Sequence, residues 1–262
     1  MKNLLTAPCL GVLALATLLL GGCKKDPESP ALQPATGTVA VEIANVAGTK
    51  PVALDGTAYA TPSGETFTIT TLKYYISNIL LTKADGSSYA VPHVYHLVDA
   101  SKQATTKFTL DSIPAGSYTG MKFTVGVDST TTKADPLSLT GDLNPANNMY
   151  WAWASGHIFL KLEGTVTSAN NKALTAHIGG YRAPYSAIVT AAPPLPAGQN
   201  LLVHPDLAPT IQLSADVLKL FDGKTHIALS SFPTAMSPSA ASVQVAQNYA
   251  AGMFTVKRIY AD

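Results

Sequence analysis

The sequence predicts an all-β protein, an antiparallel β-sandwich with a few short helices. Three observations carry that expectation. Beyond residue 37 the dominant hydrophobic period is two, in short segments separated by turn residues. Helical patterning is confined to two stretches near the C-terminal end. The apolar fraction is 47% against 13% charged, enough in 262 residues to bury one large core.

The N-terminal region stands apart from this pattern. Lys2 is the early charge, and Leu10 to Leu20 is apolar except for Thr17. That run is short for a membrane span and reads as the h-region of a signal peptide. It ends in Leu20-Gly21-Gly22-Cys23, which resembles the lipobox of bacterial lipoproteins, with cleavage before Cys23 and acylation of its sulfur. Residues 1–22 are therefore expected to be a signal peptide, 23–37 a lipidated tether, and 38–262 the folded domain. Lys24 to Thr36 is polar and Pro-rich, as a tether requires. With Cys23 lipidated, the mature chain has neither a free thiol nor a disulfide. Removing Lys2 takes the formal charge from +1 to zero, which argues against nucleic acid as a partner, since phosphate binding needs a basic surface.

The strands follow in order. Val39, Val41 and Ile43 alternate, as do Phe67 and Ile69 among threonines. Residues 72–83 ("LKYYISNILLTK") are β-branched and aromatic and break at Ala84-Asp85-Gly86-Ser87. Residues 106–128 read as strand, "IPAG" connection, strand. Residues 149–164 and 173–178 form a pair around the polar turn "TSANNK". Residues 201–204 and 210–213 are further short strands, and 190–200 is a Pro-rich loop. A short helix is expected over "ADVLKLFDG", capped by Ser214 and stopped at Gly223. A longer one follows Ser237, with Pro238 at its first position.

The stretch 143–164 ("LNPANNMYWAWASGHIFLKLEG") holds both tryptophans of the chain. Read as one extended strand, it places Trp151, Trp153, Ser155 and His157 on one face and the core stripe Ile158, Leu160 and Leu162 on the other. A bulge at Gly156 would flip that parity and send the tryptophans to the core side.

Enzyme signatures are absent: there is no G-x-S-x-G elbow, H-E-x-x-H helix, C-x-x-C pair or phosphate-cradling loop, and no acid pair such as Asp128 and Glu163 stands out among the acids. The expectation is a non-enzyme. The six histidines are the better lead: His93, His96, His157, His177, His204 and His226. His93 and His96 are three apart, on opposite faces of a strand unless a turn at Pro92 unites them. His96 alternates with Val94 and Val98 and reads first as a buried histidine satisfied by backbone. His177, beside Gly179-Gly180, reads as a ligand at a strand end. His204, before Pro205 in a loop, reads as exposed, and His226, beyond a helix end, as structural or solvated. An imidazole-dominated site without thiolates suits copper or zinc. The methionines Met121, Met149, Met236 and Met253 read first as core fillers.

Three stretches, "GMKFTVGVDS" (120–129), 143–164 and "AHIGG" (176–180), together with "LKYYISNILLTKADGS" and "SPSAASVQVAQNYAAGMFTV" (237–256), resemble the MbnP-like family over most of residues 38–258. These are periplasmic or lipid-anchored bacterial proteins named for the methanobactin-associated copper protein. The resemblance implies copper as cofactor, held by histidines and a tryptophan oxidised to kynurenine, and a dihaem cytochrome c peroxidase-like partner that performs the oxidation. It implies acquisition or trafficking of copper in the cell envelope, with the chain lipid-anchored in the outer membrane. Carried onto this sequence, Trp151 or Trp153 would be the modified residue, and His177 and His96 would be ligands. His157 would be either an extra ligand peculiar to this chain or a surface substitution, and His93 a further candidate. The alternative is a non-enzymatic binding or adhesion module that recognises glycan or protein through exposed Tyr150, Trp151 and Trp153.

Overall fold

The computed structural model describes residues 35–153 and 156–260. The expected cleavage site, Cys23, the tether up to Pro34, and Ser155 lie outside the described residues. In chain order the strands are β1 (Thr36–Ala47), β2 (Lys50–Pro51), β3 (Ala58–Ala60), β4 (Thr66–Lys83), β5 (Ser88–Ala90), β6 (Tyr95–Asp99), β7 (Lys107–Pro114) and β8 (Gly116–Val125). After the one-turn helix α1 (Ser129–Thr132) come β9 (Tyr150–Trp151), β10 (Gly156–Val166), β11 (Lys172–Gly179), β12 (Val189–Ala191), β13 (Leu201–Val203) and β14 (Thr210–Asp216). Helix α2 (Ala240–Gly252) and β15 (Phe254–Tyr260) follow. No described helix is long and apolar enough to cross a membrane.

The strands build the expected all-β sandwich. One sheet runs β15-β14-β1-β2, with β7 also on β1. The other runs β11-β10-β4-β8-β12, with β3, β5 and β6 also on β4. Pairing is antiparallel except between β1 and β14. The alternation of β1 puts Val39, Val41 and Ile43 in the core. The two sheets meet through aromatic rings: Phe254 of β15 contacts Tyr74 of β4 and Phe123 of β8 edge-on, at 5.8 and 5.0 Å between ring centres. Tyr74 donates its hydroxyl to Asn45 Oδ1 of β1 at 2.7 Å, and burial pushes its phenol pKa well up.

Strand β4 organises the second sheet. On one edge Tyr74 and Ile76 pair with Val98 and His96 of β6. On the other edge Tyr74 pairs with Leu160 of β10 and Ile76 with Val125 of β8, so β10 and β8 lie end to end. Asn78, at φ 50°, provides the bulge past which the β8 pairing resumes at Leu80; asparagine adopts this left-handed conformation more readily than most residues. Between the two ends the chain leaves the sheet over residues 126–149. This excursion covers the sheet's outer face: Asp142 O accepts from the Tyr75 hydroxyl at 2.8 Å, and Asn147 O from Lys73 Nζ at 3.3 Å.

Four local expectations are corrected. Residues 214–216 belong to β14, held by parallel pairing to Ala44–Val46, so the expected helix shrinks to a single 3-10 turn at Val217–Leu220 capped by Asp216. Helix α2 starts at Ala240 with Ser239 as its cap, which puts Pro238 outside the helix. Thr190 and Ala191 of the expected loop pair with β8. Met236 is 47% exposed, whereas Met121, Met149 and Met253 are buried as expected.

Candidate functional site

The stretch that holds both tryptophans is not one strand. Trp151 pairs with Gly156 and Tyr150 with His157, so β9 and β10 form a hairpin and the chain reverses between them. The expected face shared by Trp151, Trp153 and His157 is therefore corrected. Trp151 is buried and Trp153 is 67% exposed, yet their rings remain in contact, 5.7 Å apart and tilted by 40°. The Trp151 ring lies over Gly179 of β11, where a Cβ would come within 2.8 Å of its Cζ3 atom. Gly179 is thus the residue that lets the indole sit down on the sheet.

His157 is buried, wedged edge-on between Tyr75 and Tyr150 at 5.7 and 5.1 Å between ring centres. Its Nε2 lies 3.2 Å from Leu143 O. A carbonyl only accepts, so Nε2 carries the hydrogen and Nδ1 presents a lone pair. Burial holds its pKa below the ordinary imidazole value of 6.5. Among the described residues, His157 Nδ1 and Trp151 Nε1 are the buried side-chain polar atoms without a hydrogen-bond partner. Both belong to the same hairpin. A buried unpaired polar atom costs about 1–3 kcal/mol, so two together mark a place that is not optimised for stability alone.

His177 is also buried, with Nε2 2.7 Å from Glu163 Oε1. Burial lowers its pKa, and the Glu163 carboxylate opposes that shift without cancelling it. The neutral ring donates Nε2–H to the carboxylate and leaves Nδ1 for another partner. His177 stands within β11, before the glycine pair and not at a frayed end. It is cross-strand from Lys161, which pairs with Lys73, which pairs with Asp99. These four side chains form a row across the outer face of β11, β10, β4 and β6. Lys73 and Asp99 approach to 3.0 Å, and Lys161 and Glu163 to 3.3 Å. Lys73, Lys161 and Asp99 were missed by sequence reasoning. The signal was present, because Lys73 and Lys161 each interrupt an otherwise apolar strand.

His96 lies elsewhere. It alternates with Val98, which is paired with the core-facing Tyr74, so its ring points to the inner side of the sheet. There it stacks on Phe108 of β7 at 4.1 Å, with Nε2 2.7 Å from Thr105 O and Nδ1 3.5 Å from Asp142 Oδ2. His96 and His177 thus occupy opposite faces of one sheet, and no tryptophan meets both. His93 is exposed in a turn at φ 55°, apart from His96. His204 and His226 are exposed beside Asp206 and Asp222. Among the described residues no three His, Cys, Asp or Glu side chains gather into a set able to hold a metal ion.

Beside the hairpin a cavity of about 190 Å³ is walled by Trp151, Gly156, Gly180, Tyr181, Arg182 and Pro238. A second hollow of about 300 Å³ shares Tyr181 and Arg182 and reaches Tyr150, Lys133 and Asp135.

Residues 36–237 match the model of the family described as MbnP. Among solved structures, the chain is similar to MbnP from Methylosinus trichosporium, at 16% sequence identity and a TM-score of 0.46, over 79% of this chain and 87% of that one. No curated protein matches the chain in sequence.

Proposed function

Since the chain belongs to the MbnP family, we propose that it is a copper-binding protein of the bacterial cell envelope that acts in copper acquisition or trafficking, without catalysis of its own. The observation that carries this reading is the pair of orphaned atoms in one hairpin, His157 Nδ1 and Trp151 Nε1. A neutral imidazole with one nitrogen committed to a carbonyl offers the other as a ligand, and imidazole suits copper. The indole N–H of Trp151 is a donor and offers no lone pair. Oxidation to kynurenine by two equivalents of peroxide opens the pyrrole ring, releases its C2 carbon as formate with one water, and turns that nitrogen into a free aniline able to ligate.

We assign the oxidation to a dihaem cytochrome c peroxidase-like partner, which would reach the hairpin from the side of the exposed Trp153. His177 offers a second free imidazole nitrogen, oriented by Glu163 as ligating histidines commonly are. Its Cα register places it four residues along β10 from His157, roughly 13 Å at strand rise, so the two would belong to separate ligand sets unless the hairpin moves. His93 and His96 are left out of the set. Acylation of Cys23 would anchor the protein in the outer membrane, facing the periplasm or the cell surface.

Titration of the purified protein with Cu(I) and Cu(II) tests the metal. His157→Ala should weaken binding by at least about tenfold, while His96→Ala leaves it unchanged. Equal affinity in His157→Ala and the parent chain would overturn the assignment. Peptide mass spectrometry across 143–164, on protein from its native host, reads the modification separately; two intact tryptophans would refute it.

A second reading rests on the 67% exposure of Trp153, a large ring left in solvent beside another. It makes the hairpin tip a platform for glycan or protein. Retention on immobilised polysaccharide that is lost in Trp153→Ala, with no copper binding, would favour it.

A further inference from the structure

The cavity beside the hairpin has a chemistry that the copper reading does not use. Its walls are the Trp151 and Tyr181 rings, and Gly156 and Gly180 line it without side chains. Gly180, at φ 117°, adopts a conformation that L side chains rarely take, and a Cβ there would run into the Tyr185 carbonyl oxygen and stand 2.9 Å from Pro238. Glycine is therefore required where this wall of the cavity packs against Tyr185 and Pro238.

Two cations attend the same ring. The Arg182 guanidinium carbon lies 4.9 Å from the centre of Tyr181, and Lys133 Nζ lies 5.7 Å from it. Neither is in an ion pair with a carboxylate among the described residues. The acid that shares the adjoining hollow, Asp135, is turned to its own backbone and accepts from Leu137 N at 3.0 Å. A cation on an exposed ring face is held weakly, and less strongly than by a carboxylate that accepts its N–H groups. Two unpaired cations on one ring, beside an aromatic slot with a glycine wall, lack an anion with a flat body.

We propose that this cleft binds a small planar organic anion, a carboxylate carried on an aromatic or conjugated ring. The ring enters between Trp151 and Tyr181, and the carboxylate is taken by Arg182 with Lys133 in support. A volume of about 190 Å³ suits a ligand of one ring and its carboxylate, and the fork of Arg182 matches a carboxylate in two parallel hydrogen bonds. The site needs neither copper nor a modified tryptophan.

The chain's two tryptophans are Trp151, in the cavity wall, and Trp153, which touches it, so tryptophan emission reports on this hairpin and its cavity. The probe is benzoate, compared with the neutral isostere benzamide, on the metal-free chain with its tryptophans intact. Benzoate should change the emission saturably, and benzamide should bind at least about tenfold more weakly, the loss expected when a charge-assisted hydrogen bond becomes a neutral one. Arg182→Met should lose a similar factor and Arg182→Lys only part of it, with salt weakening benzoate selectively. Equal binding of benzoate and benzamide, no saturable change with benzoate, or undiminished benzoate binding by a folded Arg182→Met would each overturn the proposal. The comparison of the two probes on the parent chain stands even if a variant fails to fold. Failure of copper titration leaves these outcomes unaffected, so the two readings fail separately.

Discussion

Gly179→Ala tests the seating of Trp151 most directly. A Cβ at position 179 would stand 2.8 and 3.1 Å from two carbons of the indole and 2.6 Å from His157 O. Carbon atoms in contact prefer about 3.5–4.0 Å, so the nearest ring carbon must retreat by roughly 0.7–1.2 Å. The carbonyl is fixed in the hairpin strand and cannot give as cheaply as a side chain. Overpacking of this kind costs about 1–3 kcal/mol. With a denaturant slope of roughly 3 kcal/mol/M in urea, the unfolding midpoint should fall by about 0.3–1 M. The ring's escape route is outward, past Trp153, so emission should shift to the red in the native state as well. Urea titration followed by fluorescence and by circular dichroism reads both effects. A midpoint within about 0.1 M of the parent chain, with native emission unchanged, would mean that Trp151 does not lie on Gly179.

Three further outcomes are expected. His157 and His177 have native pKa values held below the unfolded value of 6.5, so the unfolded chain takes up protons first; stability should be full above about pH 7 and fall as pH drops through 6.5 toward the depressed values, and urea midpoints at pH 7.5 and 5.5 check the sign, with a rise toward pH 5.5 refuting it. Tyr74→Phe leaves Asn45 Oδ1 without the hydroxyl that reaches it at 2.7 Å and should cost about 1–2 kcal/mol in the same assay, whereas a neutral result would place a water or another donor at Asn45. Asp99→Asn removes the partner of Lys73 at 3.0 Å and weakens the acceptor of Ser101; because Lys73 is 18% exposed, the loss should be about 1–2 kcal/mol, below that of a fully buried pair, and should shrink in high salt.

Much of the fold was legible because burial follows the period-two pattern wherever one face meets the core. The alternation of Val39, Val41 and Ile43 and the two-asparagine turn of "TSANNK" reappear as β1 and as the β10–β11 connection, with Asn170 and Asn171 at positive φ. Parity misled where the outer face is covered too. Residues 156–160 are all buried, because one side of β10 faces the opposite sheet and the other lies under residues 126–149. In such a strand alternation carries no information about which side is solvent. The helix expected at 215–223 failed for a tertiary reason: Asn45 and Val46 of β1 claim Ala215 and Asp216 by pairing, which outweighs a local propensity of a few tenths of a kcal/mol per residue. The His177–Glu163 pair needed the registry of two strands, which no single segment encodes.

The registry also decides what a copper set can contain. Side chains that alternate along β6 assign His96 to the face of Tyr74, and cross-strand pairing assigns His177 to the face of Lys73. A ligand bound to both would have to pass through the sheet, so the two cannot share a mononuclear site however the loops rearrange. His96 already has both nitrogens near oxygen acceptors, and its ring helps close one sheet over the other through Phe108. Its role is therefore to hold the edge of the sandwich. What remains on the outer face is the hairpin of Trp151 and His157, under a cover built from residues 126–149 whose hydrogen bonds to the sheet include Tyr75 to Asp142, Leu97 N to Asp142, Lys73 to Asn147 and His157 to Leu143. One of those contacts is made by the candidate ligand itself. That hydrogen bond to Leu143 fixes the tautomer that leaves a lone pair on Nδ1, while the Tyr75 and Tyr150 rings that enclose the imidazole set the access to it.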